Sequence, residues 1–190
     1  ASVDYRHHMV FTKTPICNFD EKAHDFNLKG VDNKFYKLEN CIGSNGTIIM
    51  FICNHCPYVK AVINDVVEDC KKLKDQGVNS IAICSNDVKN YPEDSFENME
   101  KFSKNYKFGF PYLFDETQEI AKRYGAVCTP DFFGYNKNLE LQYRGRMREL
   151  KDLKPIRDGE SDLLIAMKQI ANTGNGPNCL LYTSDAADEY

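Results

Sequence analysis

The chain has 190 residues, of which 42% are hydrophobic, and its formal net charge at pH 7 is −4. This length is typical of a single domain, and the hydrophobic content suffices for a packed core. The acidic balance argues against a nucleic-acid backbone as partner. No apolar run of the sequence predicts a membrane span or a signal segment.

The two ends of the chain differ in character from its middle. Residues 1–9 carry paired histidines just before Met9, and we interpret them as an expression tag outside the fold. Residues 178–190 are small and acidic in composition, and we interpret them as a disordered or non-native tail. Residues 10–177 contain no repeat and no long linker, which predicts a single domain.

Strand and helix patterns alternate through this domain. Turn-rich sequence within residues 23–38 predicts an N-terminal β-hairpin. Apolar runs at 47–53 and 78–84 predict buried strands, and apolar spacings of three and four predict a helix over 57–75. The remaining predicted elements are a helix at 95–106, an extended segment at 110–114, a short helix ended by Gly125, a hairpin formed by 132–135 and 139–143, and a last helix that includes Leu163 to Ala171.

This order of elements predicts an α/β fold with a mixed central sheet and helices on both faces. The early strand–helix–strand units should be parallel, with right-handed connections. In sheets of this kind the reactive group lies beyond the carboxyl end of a strand, and Cys56 occupies such a position in the sequence.

Cys56 lies at the predicted join between strand and helix, directly before Pro57. Proline suits the first position of a helix, because no backbone donor is needed there. The free N–H groups and aligned peptide dipoles of a helix N-terminus favour negative charge. The site should therefore lower the pKa of the Cys56 thiol and make it a reactive nucleophile.

The eight cysteines of the chain are scattered. Cys70 and Cys84 lie on patterns typical of buried positions, where a cysteine behaves as a small hydrophobe. A disulfide scaffold is therefore disfavoured, and a reducing cytoplasm is the expected location.

The neighbours of Cys56 allow more than one interpretation. His55 could hold the thiolate by its positive charge or relay a proton, or it could be a surface residue beside the site. Lys60 is expected to be solvated. A metal site of Cys53, His55 and Cys56 is the less favoured alternative, because zinc needs four suitably spaced ligands and Cys128 would have to complete the set from afar. We expect no metal and no cofactor.

Three segments of the chain together resemble the signatures of one family: residues 51–60 (FICNHCPYVK), 128–133 (CTPDFF) and 143–146 (YRGR). Over residues 25–176 the pattern resembles thioredoxin-like redoxins of the alkyl hydroperoxide reductase and thiol-specific antioxidant (AhpC/TSA) superfamily, specifically a peroxiredoxin-like branch. The resemblance implies a thioredoxin-like fold and thiol oxidoreductase activity.

The resemblance also implies roles for single residues. The peptide bond between Thr129 and Pro130 should be cis, on a loop that faces Cys56 and offers a backbone edge to an extended substrate peptide. Arg146 should lie near the pocket, where a guanidinium could hold a thiolate, a peroxide or an acidic group. Arg144 and Arg146 could equally be charges on an edge strand.

Two departures from better-known relatives bear on the chemistry. Val59 stands where a thioredoxin has its second cysteine, and Cys53 stands where a typical peroxiredoxin has threonine or serine. Cys53 and Cys56 form a C-x-x-C in a different register, with Cys56 last rather than first. Neither exchange by an adjacent pair nor standard peroxide reduction follows directly.

The sequence therefore favours a thiol oxidoreductase in which Cys56 attacks a disulfide or a peroxide. The expected partners are a disulfide-containing protein or peptide, or a small peroxide or thiol, with no nucleic acid and no membrane. The alternative is a non-catalytic thioredoxin-fold module that holds peptides at the cis-proline loop. The oligomeric state is left open.

Oxidised Cys56 must be resolved by another thiol, because Val59 occupies the usual second position. Cys128 is the preferred candidate, since a facing loop can bring two Cα atoms within about 7 Å. Cys53 is the second choice, because the end of a buried strand could direct its thiol into the core. The strand pattern does not fix the direction of the Cys84 side chain. An external thiol such as glutathione is the further alternative for resolving Cys56.

Overall fold

The structure, a computed structural model, describes residues 19–177. The strands are β1 (Asn27–Gly30), β2 (Phe35–Lys37), β3 (Gly46–Phe51), β4 (Val78–Cys84), β5 (Tyr112–Phe114), β6 (Asp131–Asn136), β7 (Leu141–Gly145), β8 (Leu150–Lys151) and β9 (Lys154–Pro155). The α-helices are α1 (Pro57–Lys74), α2 (Phe96–Asn105), α3 (Glu119–Tyr124) and α4 (Asp162–Thr173). Single 3-10 turns lie at Leu38–Asn40 and Pro92–Asp94.

Seven strands form one mixed sheet in the order β2-β1-β5-β4-β3-β6-β7. Strands β3, β4 and β5 are parallel, whereas β6 and β7 are antiparallel to their neighbours, as are the hairpin strands β1 and β2. Strand β3 is buried along its whole length, which explains its continuous apolar run. The predicted mixed sheet and N-terminal hairpin are confirmed.

Helices cover both faces of the sheet, as predicted. Ile48 and Met50 belong to one core with residues of α1, α2 and α4. Ile49 and Phe51 belong to a second core with residues of α3 and of the segment around the N-terminal hairpin. Successive side chains of a strand point to opposite faces, so the apolar run of β3 contributes to both cores.

The end of β3 differs from the prediction. The strand ends at Phe51 rather than at Cys53. The physical reason is a competing acceptor, because the backbone N–H of Asn54 donates to the carboxylate of Asp94 at 2.8 Å. Cys53 therefore lies in the loop between β3 and α1.

The second hairpin also differs from the prediction. Its returning strand, β7, begins at Leu141 and not at Leu139, which has a left-handed backbone with φ of 60°. The side-chain oxygen of Asn136 accepts hydrogen bonds from the backbone N–H groups of Asn138 and Glu140, and this extends the turn. The short β8-β9 ribbon before α4 was not predicted.

The interpretations of residues 1–9 as a tag and of 178–190 as a tail lie outside the described residues, as do Cys17 and Cys179. Within residues 19–177, no helix combines the length and the apolar content needed to cross a membrane.

Candidate active site at Cys56

Cys56 lies where the chain passes from the carboxyl end of β3 into α1. It is the N-cap residue of α1, with φ −68° and ψ 123°, and Pro57 is the first residue of the helix. Because proline has no N–H group, the first backbone donors that α1 leaves without an intrahelical partner belong to Tyr58 and Val59. The structure places Cys56 at the strand-to-helix junction expected from the sequence.

The surroundings of Cys56 lower the pKa of its thiol to about 6. The largest contribution is a hydrogen bond from the Cys53 thiol, which stabilises the thiolate. Burial acts in the opposite direction, because Cys56 is only 3% exposed. The backbone N–H groups of Val59 and Tyr58 and the side chain of Thr129 help to outweigh it. Most Cys56 thiols are consequently ionised at neutral pH.

The loop that carries Thr129 faces both sulfurs. The Thr129–Pro130 peptide bond is cis, as expected from the sequence. In its thiol form, Cys56 donates to the Thr129 carbonyl oxygen with an S···O distance of 3.6 Å. The Thr129 hydroxyl lies 3.6 Å from the Sγ of Cys53. Thr129 is itself buried, so it joins the two cysteines through two different oxygen atoms.

Cys53 titrates in the opposite direction from Cys56. Its pKa is raised well above the ordinary value by burial, by its hydrogen bond to Cys56 and by the negative charge of Asp94. The sequence did not decide whether the Cys53 thiol points into the core. Since β3 ends earlier than predicted, Cys53 lies in the loop, where it is part of the buried core and its thiol lies 3.6 Å from the Thr129 hydroxyl. At neutral pH the pair combines a thiolate with a neutral thiol.

His55 pairs with a buried carboxylate. Its Nδ1 lies 2.6 Å from Oδ2 of Asp94, whose side chain is fully buried. Burial opposes charge on His55, but the hydrogen bond and the attraction of Asp94 outweigh it, so the pKa of His55 is raised. The His55 ring also stacks on Tyr91, with 4.7 Å between ring centroids. His55 is therefore held in place by Asp94 and Tyr91 and is not a loose surface residue.

Asp94 is the functional residue that the sequence reasoning missed. Its Oδ1 accepts the Asn54 backbone N–H at 2.8 Å, and its Oδ2 accepts the Asn86 side-chain amide at 2.6 Å. The side chain of Asn54 is held in turn by the hydroxyl of Tyr112 at 2.7 Å. The only local signal was a Pro-Glu-Asp turn before a helix, which does not identify a partner for His55.

The structure contains a cluster of possible metal ligands, but its members differ from the set of Cys53, His55 and Cys56 considered from the sequence. Cys53, His55 and Asp94 each place one ligand atom within 4.8 Å of the others. Three ligands fall short of the four of a structural zinc site. Both oxygens of Asp94 already accept the hydrogen bonds described above, so the group is satisfied as a hydrogen-bond network.

The two arginines of the third signature have different surroundings. Nε of Arg146 lies 2.8 Å from Asp162 and its Nη2 lies 3.5 Å from Glu149. The Asp162 pair ties the chain after β7 to the first turn of α4, and the role near the pocket that the resemblance implies for Arg146 stays a prediction. Arg144 lies on the edge strand β7, but its guanidinium is buried and pairs with Asp131 at 3.0 Å.

Cys70 and Cys84 are buried, and burial raises the pKa of each to about 12, which suits their expected role as small hydrophobes. Lys60 is exposed. Cys128 is buried directly before Thr129, and its pairing with Cys56 stays a prediction.

A thiolate at the start of a helix, facing a cis-proline loop at the edge of a mixed α/β sheet, defines a thioredoxin-fold redox protein. The chain belongs to the AhpC/TSA family, whose model matches residues 19–149. This confirms the resemblance seen in the sequence and supports a thioredoxin-like redox function.

Solved structures share the fold. An uncharacterized conserved protein from Geobacillus kaustophilus is 38% identical, with a TM-score of 0.80 over 88% of this chain and 87% of that one. A hypothetical protein from Sinorhizobium meliloti is 30% identical, with a TM-score of 0.80 over 88% of this chain and 91% of that one. The pneumococcal exposed lipoprotein thioredoxin from Streptococcus pneumoniae, at 22% identity, is similar in fold, with a TM-score of 0.58 over 77% of this chain and 99% of that one. No curated protein matches the chain.

Proposed function

We propose that the protein is a thiol–disulfide oxidoreductase with Cys56 as its nucleophile. The observation that supports this most directly is the Cys56 thiol of pKa about 6, at a helix N-terminus that faces the cis Thr129–Pro130 loop. The Cys56 thiolate attacks one sulfur of a substrate disulfide and forms a mixed disulfide, while the other substrate sulfur leaves as a thiolate. A second thiol then completes the reduction.

The side chains around Cys56 favour a disulfide over a peroxide as substrate. Oxygen transfer from a peroxide needs donors that stabilise the departing oxyanion. Cys53, whose thiol is a weak donor, takes the place of the hydroxyl residue of typical peroxiredoxins. Arg146, the candidate guanidinium donor, is engaged by Asp162 and Glu149.

Peroxide reduction is the second candidate, and one observation favours it. Cys56 is 3% exposed, so a small oxidant reaches the sulfur more readily than a protein disulfide does. Peroxide would convert the thiolate to a sulfenic acid with release of water, and a thiol would then condense with it.

The cis-proline loop presents its backbone edge to an extended peptide beside Cys56, so a disulfide-containing peptide is the natural substrate class. The activity belongs in a reducing cytoplasm, because such a compartment keeps scattered cysteines as thiols and supplies the reductant.

The test compares oxidised glutathione with hydrogen peroxide at pH 7, each added at one equivalent and read by mass spectrometry of separated peptides. We expect Cys56 to react first, and faster with the disulfide. Cys56→Ser should abolish the reaction. Cys41→Ala is the matched control, because Cys41 is also buried but burial raises its pKa to about 11. A Cys56 that stays unmodified by either oxidant would favour the non-catalytic peptide-binding module.

A further inference from the structure

We propose that Cys53 is the internal resolving cysteine of Cys56. The two would form a redox pair in which the nucleophile comes last in the C-x-x-C, the reverse of the order in a thioredoxin. This inference rests on the proposed function, since it names the thiol that completes the exchange. It departs from the sequence-based preference for Cys128.

The geometry of the loop brings the two sulfurs to one place. Both lie 3.6 Å from oxygen atoms of the same residue, Thr129: Sγ of Cys53 from its hydroxyl and Sγ of Cys56 from its carbonyl oxygen. Cys53 and Cys56 are 1% and 3% exposed, so the contact is shielded from water. Cysteines separated by two residues form the disulfides of C-x-x-C motifs, so this spacing can be bridged.

The segment between the two cysteines is held from one side. Asp94 accepts hydrogen bonds from the backbone of Asn54 and from the ring of His55. Tyr112 and the backbone carbonyl of Glu93 bind the side chain of Asn54 at 2.7 and 3.0 Å. These contacts hold both intervening residues against Asp94, Glu93 and Tyr112.

The chemistry of the second step is balanced within the pair and its substrate. Cys53 loses its proton and attacks Sγ of Cys56 in the mixed disulfide. The bond between Cys53 and Cys56 forms, the bond between Cys56 and the substrate sulfur breaks, and the leaving thiolate takes up a proton. The substrate disulfide gains two electrons, and the two cysteines lose them.

The contrast between the two thiols suits this division of roles. Cys56 is ionised at neutral pH and attacks the external disulfide. Cys53 is a neutral thiol at neutral pH and so stays available for the second step, and once it loses its proton a thiolate of high pKa is intrinsically the stronger nucleophile.

The experiment treats the full-length protein and two variants, Cys53→Ser and Cys128→Ser, with excess oxidised glutathione at pH 7. The reaction is quenched with acid, remaining thiols are alkylated, and tryptic peptides are mapped without reduction. Residues 38–60 form one tryptic peptide, which holds Cys41, Cys53 and Cys56. Cys128 falls in the separate peptide 124–137.

In the wild type we expect the 38–60 peptide to carry a single alkyl group, on Cys41, and an internal disulfide between Cys53 and Cys56. Cys128→Ser should give the same result. Cys53→Ser should instead accumulate glutathione on Cys56, because the resolving thiol is gone. If that variant does not fold, Cys53→Ala replaces it, and the wild-type map decides by itself.

Two results would overturn the inference while leaving the proposed function intact. One is a disulfide between the 38–60 and 124–137 peptides, which would make Cys128 the resolving cysteine. The other is stable glutathione on Cys56 of the wild type with Cys53 alkylated, which would make the resolving thiol external. A Cys56 that is alkylated and carries no glutathione in any variant would overturn the proposed function itself.

Discussion

Replacing Cys53 by alanine removes the donor that contributes most to the low pKa of Cys56. A hydrogen bond to a charged group contributes about 1.5–3 kcal/mol, which at about 1.36 kcal/mol per unit corresponds to roughly 1–2 pKa units. Little water can replace the lost donor, because Cys56 is 3% exposed. We therefore expect the pKa of Cys56 to rise by that amount from its value of about 6.

The assay is the pH dependence of iodoacetamide alkylation at Cys56, followed residue by residue in the 38–60 peptide. The wild type and the variant should be compared by the midpoint of the pH–rate profile and not by the rate at a single pH. A thiolate of higher pKa is intrinsically more reactive, with a Brønsted coefficient of about 0.4–0.5, and this partly offsets the loss of thiolate at neutral pH. The alanine variant should thus show a higher midpoint and a higher plateau.

Cys53→Ser is the matched control, because its hydroxyl can still donate to the thiolate while it accepts from the Thr129 hydroxyl. Its midpoint should lie between those of the wild type and Cys53→Ala. Wild-type midpoints in both variants would refute the reasoning, since the helix N-terminus and Thr129 would then be sufficient to set the pKa of Cys56.

Three further predictions follow from contacts of the site. Asp94→Asn should lower the pKa of His55 in an NMR titration and reduce the free energy of unfolding by about 1–3 kcal/mol, because a buried charged acceptor is lost. The pKa of Cys56 in the folded protein lies below its ordinary value of 9.0. The stabilisation that the Cys56 thiolate gives the folded state is therefore complete above pH 9.0 and is lost as the pH falls through about 6. We therefore compare the free energies of unfolding of the wild type and of Cys56→Ser by urea titration at several pH values. The difference between them should grow by at most about 2 kcal/mol from about pH 6 to 8. Arg146→Gln should lower stability by about 1–3 kcal/mol, through the lost pair with Asp162, and leave the alkylation midpoint of Cys56 unchanged.

Each of these three predictions has a result that would contradict it. An unchanged His55 pKa in Asp94→Asn would mean that the buried pair does not hold the imidazolium. A stability difference that is flat from about pH 6 to 8 would mean that Cys56 is not ionised in the folded state. A raised Cys56 midpoint in Arg146→Gln would show that the guanidinium acts on the thiolate, as the family resemblance implies.

The position of Cys56 could be predicted from the sequence because its signals are local. A buried strand, a proline and an amphipathic helix follow one another within a short stretch, and each has a pattern of its own. The cis bond before Pro130 was also predictable, through the resemblance of the surrounding segment. Both features depend on residues close together in the chain.

Asp94 could not be predicted, because its partners are distant in sequence. It lies 39 residues after His55, in a loop whose composition indicates only a turn. The direction of the Cys53 thiol was unpredictable for the same reason. The end of β3 is set by the Asn54 N–H bond to Asp94, and a small shift in a strand end redirects the side chains that follow.

The central claim is that Cys56 is a thiolate at neutral pH and is the redox nucleophile. The most direct test is the pH–rate profile of Cys56 alkylation in the wild type, with Cys56→Ser measured beside it. The account predicts a midpoint near the pKa of about 6 and loss of the fast-reacting thiol in the variant. A midpoint near the ordinary value of 9.0, or a fast-reacting thiol that persists in Cys56→Ser, would contradict it.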